Sequence, residues 1–320
     1  MNPATRLTAV LGIRYPVIQG GLAYLARAGL AAAVSNAGGL GQITATTLES
    51  PEALAAEIAE VRRLTSEPFG VNFAIGHRPI DDLLDQALDL KVPVVSLTGG
   101  NPAPYVDRIK ARGARLMVLV AGVRAGLKAE SLGADVVIGV GVEGGGHLGR
   151  DDIGTFVLTR RLVEVLQVPV VASGGIGDGR QLVAALALGA AGIEMGTRFV
   201  ATQECLAHER YKAALVDAEI HETRVIERSL GRPGRALPSP HVDRILATEA
   251  ETPDFAALYP LISGEANYRA AVNGDMENGF AWAGQVAGLI HDIPSVAELF
   301  DRLRQEARQA QQEMCGWTMD

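Results

Sequence analysis

Cysteine is nearly missing from this 320-residue chain: Cys205 and Cys315 are its only two, far apart and outside any CxxC pair. Such scarcity excludes a disulfide framework and fits a reducing compartment. Aromatic residues make up 5% of the chain, which argues against an aromatic-rich β-sandwich. No run of about 20 apolar residues occurs, so no membrane-spanning helix is expected. Positive charge is also short, with 29 Lys and Arg against 37 Asp and Glu, a net −8 without a basic tract. Nucleic acid is therefore not an expected partner, because phosphate contacts need clustered cations. No two of the six histidines sit with a carboxylate at metal-ligand spacing, so no metal site is expected. Met1 to Leu7 lacks the apolar core of a secretion signal. These absences leave a soluble cytoplasmic globule.

What is plentiful is glycine, 37 residues, and hydrophobic side chains, 48%. That balance favours α/β architecture. A short β-rich run, a turn and a helix-compatible segment repeat from Tyr15 to Phe199. The expected strands are Tyr15–Gly20, Gly39–Ile43, Phe69–Ile75, Val92–Thr98, Arg115–Ala121, Asp135–Gly141, Val168–Gly175 and Gly192–Phe199. Their starts lie roughly 25 residues apart, a length that suits βαβ units. Nearly continuous apolar runs such as Val92-Pro93-Val94-Val95 and Val168-Pro169-Val170-Val171 belong to parallel strands covered on both faces. Ser50 before Pro51, and Asp178 before Gly179, read as helix starts. Eight such units predict a TIM (β/α)8 barrel. A Rossmann sheet would need G-x-G-x-x-G after its first strand, and Gln19-Gly20-Gly21-Leu22-Ala23-Tyr24 does not supply it.

The rhythm stops after Phe199. The remainder reads as helical and irregular, with turn-rich patches at Gly231-Arg232-Pro233-Gly234 and from Asn273 to Gly279. Part of it must supply the last barrel helix, and the rest is expected to cap one end. We divide the chain into a barrel over residues 1–216 and a capping, helix-completing segment over 217–320. The span from Val296 to Met314 is amphipathic and reads as a helix docked on the body.

A TIM barrel carries its site at the C-terminal ends of its strands, often with phosphate beyond strands 7 and 8. Strand 7 here ends in Ser173-Gly174-Gly175-Ile176-Gly177, and strand 8 carries Met195-Gly196-Thr197-Arg198. Glycines let a backbone come close to a ligand, and free N–H groups at a helix start attract an anion. A phosphate-bearing ligand is the expectation, with tight turns the plainer alternative. The loop after strand 6 reads Gly144-Gly145-Gly146-His147. His147 can exchange protons near neutral pH and is the candidate catalytic residue; merely bonding a neighbour is the alternative. His77, His208, His221, His241 and His291 lack such surroundings. Asp151-Asp152 reads as the cap of the next helix.

Six segments in order resemble the nitronate monooxygenase family, formerly called 2-nitropropane dioxygenases. They are Tyr15–Gly21, Ala31–Gly41, Phe69–Asn72, Gly145–Gly149, Ala172–Ile176 and Met195–Phe199, and Trp282–Leu289 extends the likeness to nearly the whole chain. Relatives of that family include flavin-dependent enoyl-acyl-carrier-protein reductases and NAD(P)H:quinone reductases. The resemblance implies an FMN-dependent oxidoreductase that oxidises alkyl nitronates with O2 to a carbonyl compound and nitrite. It implies that Gln19, Gly20 and Gly21 line the flavin ring with Asn72 beside it. Ser173, Gly175, Gly196 and Thr197 would cradle the phosphate, with Thr98, Gly145, Gly146, Gly174, Gly284 and Gln285 as further cofactor contacts. His147 matches the family's active-site histidine.

The chain departs from the pattern in three places. Strand 5 ends Val120-Ala121-Gly122, where some relatives carry a Lys. The loop Ala74–Pro79 lacks the longer polar, proline-rich stretch of the quinone reductases, which weakens an inference of NAD(P)H binding. Leu22–Arg27 replaces the usual Met and Trp. Two rivals therefore accompany the nitronate reading: an NAD(P)H-dependent FMN reductase of a quinone or enoyl thioester, and a non-redox barrel for a phosphorylated ligand. A small molecule with O2 or NAD(P)H is the expected partner set, and a homodimer is compatible with it.

Overall fold

The computed structural model describes residues 5–76 and 78–315; the first four residues, His77 and the last five lie outside it. Eight parallel strands form one sheet: β1 (Val17–Gln19), β2 (Gly41–Thr44), β3 (Phe69–Ala74), β4 (Val94–Thr98), β5 (Arg115–Val120), β6 (Val136–Val140), β7 (Val170–Ser173) and β8 (Gly192–Met195). Neighbours run in chain order from β2 to β8, and β8 pairs with β1 in the register Ile18–Glu194. A bridge between Ile18 and Leu40 draws β1 to β2, so the sheet closes on itself. The fold is the TIM barrel that the spacing predicts.

Local chemistry starts the helices where it should. The Ser50 hydroxyl accepts from Ala53 N ahead of Pro51, and the Asp178 carboxylate accepts from Gln181 N at 2.7 Å. Neither Asp151 nor Asp152 caps the next helix, Thr155–Val165. Its N-cap is Gly154, and Asp152 pairs with Arg228 at 3.0 Å instead. The eighth strand is shorter than its apolar run suggests. Gly196 breaks it, and Thr197–Val200 turn into a short helix.

The barrel interior is apolar at its lower end, where Ile18, Leu40, Val94, Met117, Ile138 and Val171 pack together. Leu7 and Leu11 of the helix Arg6–Leu11 join that cluster and plug the bottom. Burying such side chains contributes about 1.5–3 kcal/mol each, which leaves the opposite end free to carry polar groups.

Between β8 and the last helix lies an insertion that carries the helices Pro240–Glu251, Phe255–Ile262 and Gly264–Ala271 and, besides them, short strands. It contributes Arg224–Ile226 and Gly234–Ala236, which form an antiparallel hairpin around the Gly231–Gly234 turn. The second hairpin strand also pairs with Gly146–His147, making a small three-stranded sheet. The helix Val296–Cys315 then packs between Gly179–Ala187 and Ala28–Asn36. Its buried Val296, Leu299, Phe300 and Leu303 face that groove. No helix among the described residues is long and apolar enough to cross a membrane.

Candidate active site

The C-terminal end of the barrel interior is polar where the other end is oily. Gln42 donates from Nε2 to the Gln19 carbonyl at 2.9 Å, and its backbone N–H donates to Gln19 Oε1 at the same distance. The Ser96 hydroxyl donates to Gln42 Oε1 at 2.6 Å. Asn72 Nδ2 lies 2.9 Å from both Ser96 Oγ and Thr98 Oγ1 and donates to them. Gln19, Gln42 and Ser96 are fully buried and Asn72 nearly so. Buried polar groups survive only when bonded, so this chain across β1 to β4 is a rigid, prepaid floor. Gly21 lies against it: a methyl there would stand 2.6 Å from Asn72 Cγ.

The second part of the site lies where the strand-end glycines meet. Gly174 and Gly175 are both left-handed, with φ of 96° and 73°, which only glycine adopts without strain. The turn they form packs on the loop after β6, a methyl on Gly175 meeting Glu143 Cβ at 2.9 Å. Glu143 is itself anchored, accepting from Thr155 N at 2.8 Å and Thr155 Oγ1 at 2.9 Å. Gly284 N donates to Thr197 Oγ1 and Gln285 N donates to the Glu143 carbonyl, each at 2.9 Å. Gly145, Gly174, Gly175, Thr197, Gly284 and Gln285 are thus neighbours, although 140 residues separate the first from the last. Gly196 begins the Thr197–Val200 turn, whose leading amides have no partners within the helix.

His147 sits on a strand, not in a free loop. It pairs with Gly234, and its ring lies 5.2 Å from that of Trp282. The insertion hairpin fixes the backbone on both sides of it. Leu148 N donates to the Pro233 carbonyl at 2.7 Å, Arg150 Nε to the Gly231 carbonyl at 2.8 Å, and Arg235 Nη2 to the Val142 carbonyl at 3.0 Å. The side chain itself is solvent-exposed.

One functional candidate was invisible to sequence reasoning. Glu194, on β8, points into the barrel and is 4% exposed. Its Oε2 accepts from the Ser173 hydroxyl at 2.9 Å, while Oε1 has no hydrogen-bond partner. Desolvation pushes its carboxyl up to about 7, against a smaller opposing pull from Ser173. A methyl on Gly20 would lie 3.2 Å from its carboxyl carbon. Glu194 therefore joins the Gln19–Gly21 floor to the Ser173–Gly175 turn. The Ser173 hydroxyl is committed to that carboxyl, and its backbone remains part of the turn.

A closed barrel with a polar, glycine-lined upper rim and one histidine held beside it has the build of a flavin-dependent oxidoreductase. The profile described as nitronate monooxygenase matches residues 4–87 and 75–306, and the chain belongs to that family. It is 35% identical to a nitronate monooxygenase of Pseudomonas aeruginosa, over 95% of this chain and 99% of the relative. It is also 31% identical to a hydroxy-methyl-oxo-octahydroindene carboxyl-CoA dehydrogenase of Rhodococcus jostii, over 95% of each chain. Among solved structures, FabK of Thermotoga maritima superposes with a TM-score of 0.93 at 40% identity, covering 98% of this chain and 99% of that one. The protein is an oxidoreductase that uses a flavin, and a non-redox phosphate barrel is set aside.

Proposed function

We propose that the chain binds FMN and acts as a cytoplasmic nitronate monooxygenase, converting alkyl nitronates and O2 to carbonyl compounds and nitrite. The observation that carries this reading is the exposed His147, held on a strand beside the glycine-lined rim. FMN fits the residues present. The Gly174–Gly175 turn and the Gly196 start of a helix offer backbone N–H groups to one terminal phosphate, and no Gly-x-Gly-x-x-Gly pyrophosphate fingerprint follows β1. The Gln19-Gly20-Gly21 backbone, with no side chain at its last two positions, leaves a flat shelf for the ring, with Asn72 and Thr98 behind it and Gly145, Gly146, Gly284 and Gln285 closing the phosphate side. When bound, the flavin supplies the electron acceptance and the reaction with oxygen.

The chain's own residues hold the substrate. His147 hydrogen-bonds a nitro oxygen through a ring nitrogen, or takes the α-proton of a neutral nitroalkane at that nitrogen. The strand pairing of His147 and the Trp282 ring beside it fix where that nitrogen can reach. Purified protein is expected to be yellow and to release FMN, not FAD, on denaturation. A colourless preparation that fails to take up added FMN refutes the reading.

The likeness to a carboxyl-CoA dehydrogenase favours a second reading, in which the same floor serves redox chemistry on a CoA thioester; in the reductive direction NAD(P)H would supply the electrons. Anaerobic mixing with NADH, NADPH or a nitronate decides between them.

A further inference from the structure

We propose that Glu194 is the proton-carrying group of the flavin site: it holds a neutral carboxyl beneath Gly20, and cofactor binding at the adjoining strand ends takes up a proton at this residue. The inference rests on the FMN reading above. Three observations carry it. First, Glu194 is 4% exposed, yet its Oε1 has no hydrogen-bond partner, an arrangement costly for an anion and much less so for a neutral acid. Second, no charged side chain among the described residues offsets it. The groups facing it are the Ser173 hydroxyl from β7, bonded to Oε2, and the Gly20 backbone from β1, where a methyl would meet the carboxyl carbon at 3.2 Å. Third, it adjoins both halves of the cofactor site. Its hydrogen-bond partner Ser173 leads directly into the Gly174–Gly175 turn, and Gly196 follows two residues later, just past the end of its strand.

A phosphate at these turns repels a carboxylate on Glu194. A ring seated on Gly20 and Gly21 removes what water still solvates it. Both effects favour the protonated acid, so the bound state holds a proton that the free state gives up more easily. The proton comes from solvent onto the carboxylate, and nothing else changes. Burial already holds this carboxyl up to about 7. Affinity for FMN is therefore full below about pH 7 and falls as pH rises above it, by at most tenfold per pH unit. The FMN phosphate carries its second charge from about pH 6 upward, so it adds no slope in that range.

The test is the FMN dissociation constant of diluted holoenzyme, read from the fluorescence of released flavin between pH 7 and pH 9. Wild type is expected to weaken steadily across the range. Glu194→Gln, which keeps the size and removes the titration, is expected to stay flat and to bind more tightly than wild type at the alkaline end. Equal slopes in the two proteins, or a flat wild-type curve, overturn the inference. Should Glu194→Gln fail to fold, infrared titration of the wild-type holoenzyme gives the same answer. A protonated-carboxyl band that survives above pH 7 supports the proposal, and its loss by pH 7 overturns it. A protein that releases no FMN on denaturation refutes the cofactor reading; a yellow protein with a flat profile refutes this inference alone.

Discussion

Replacing Gly196 with Asp separates cofactor binding from folding. Gly196 has an ordinary φ of −108°, and a methyl there would lie 3.6 Å from Leu22 Cδ2, which is normal contact. Gly196→Asp therefore fits the free chain, and removing a glycine stiffens the unfolded state, worth about 0.4–1 kcal/mol in favour of folding. The ligand meets a different situation. A carboxylate about 5 Å from a phosphate in a partly screened site costs about 3 kcal/mol for each phosphate charge at an effective dielectric near 20. One such charge is about a hundredfold in affinity, and a doubly charged phosphate more. Purification followed by measurement of bound FMN, alongside a thermal melt of the flavin-free protein, reads both effects. The expected result is a colourless protein that melts at or slightly above the wild-type temperature. Gly175→Ala is the contrast: φ of 73° and a methyl 2.9 Å from Glu143 Cβ make it destabilising before any ligand binds. Normal FMN retention in a folded Gly196→Asp protein would falsify the placement of the phosphate.

His147→Ala should lose roughly 10²–10⁴-fold in turnover of neutral nitroalkanes, and much less with preformed nitronates, at unchanged FMN content; equal turnover of both by mutant and wild type reduces His147 to a structural strand residue. Gly21→Ala pushes Asn72 off Ser96 and Thr98, and the loss of two hydrogen bonds, one buried and one partly buried, about 2 kcal/mol, should lower the melting temperature by a few degrees. An unchanged melt shows that Asn72 is not a fixed part of the floor. Glu194 binds its proton more tightly folded than unfolded, so in the flavin-free chain stability falls as pH rises from about 4.5 to about 7 and then levels off. Glu194→Gln should remove that decline and be more stable than wild type at pH 8, by on the order of 3 kcal/mol, in denaturant titrations; a decline of the same size in the mutant points to another group.

The barrel was legible because strand ends and strand interiors speak different chemical languages. Runs such as Val168-Pro169-Val170-Val171 mark a strand covered on both faces, and the glycines that follow mark its exposed end. The short sheet around His147 was not legible, because strands of two and three residues are too brief for an alternation pattern, and Gly146 hides among turn-forming neighbours. Asp152 illustrates a second limit. Its position before a helix suggests a cap, whereas its partner, Arg228, is 76 residues away and comes close only through the hairpin. Gln42, Ser96 and Glu194 were missed for one reason: an inward-facing polar residue within an apolar strand looks like noise until the barrel closes and shows which side is inside. The residue-by-residue likeness to the family placed Gln19, Gly20, Gly21 and Asn72 together, and the hydrogen bonds through Gln42 and Ser96 supply the physical connection that the likeness lacked.

Anaerobic stopped-flow mixing of the purified holoenzyme with an alkyl nitronate, NADH and NADPH, following flavin absorbance, tests the central claim most directly. The nitronate is expected to bleach the flavin faster than either nicotinamide, with nitrite appearing once air is admitted. Rapid bleaching by a nicotinamide and none by nitronates contradicts the monooxygenase reading and makes the protein a reductase.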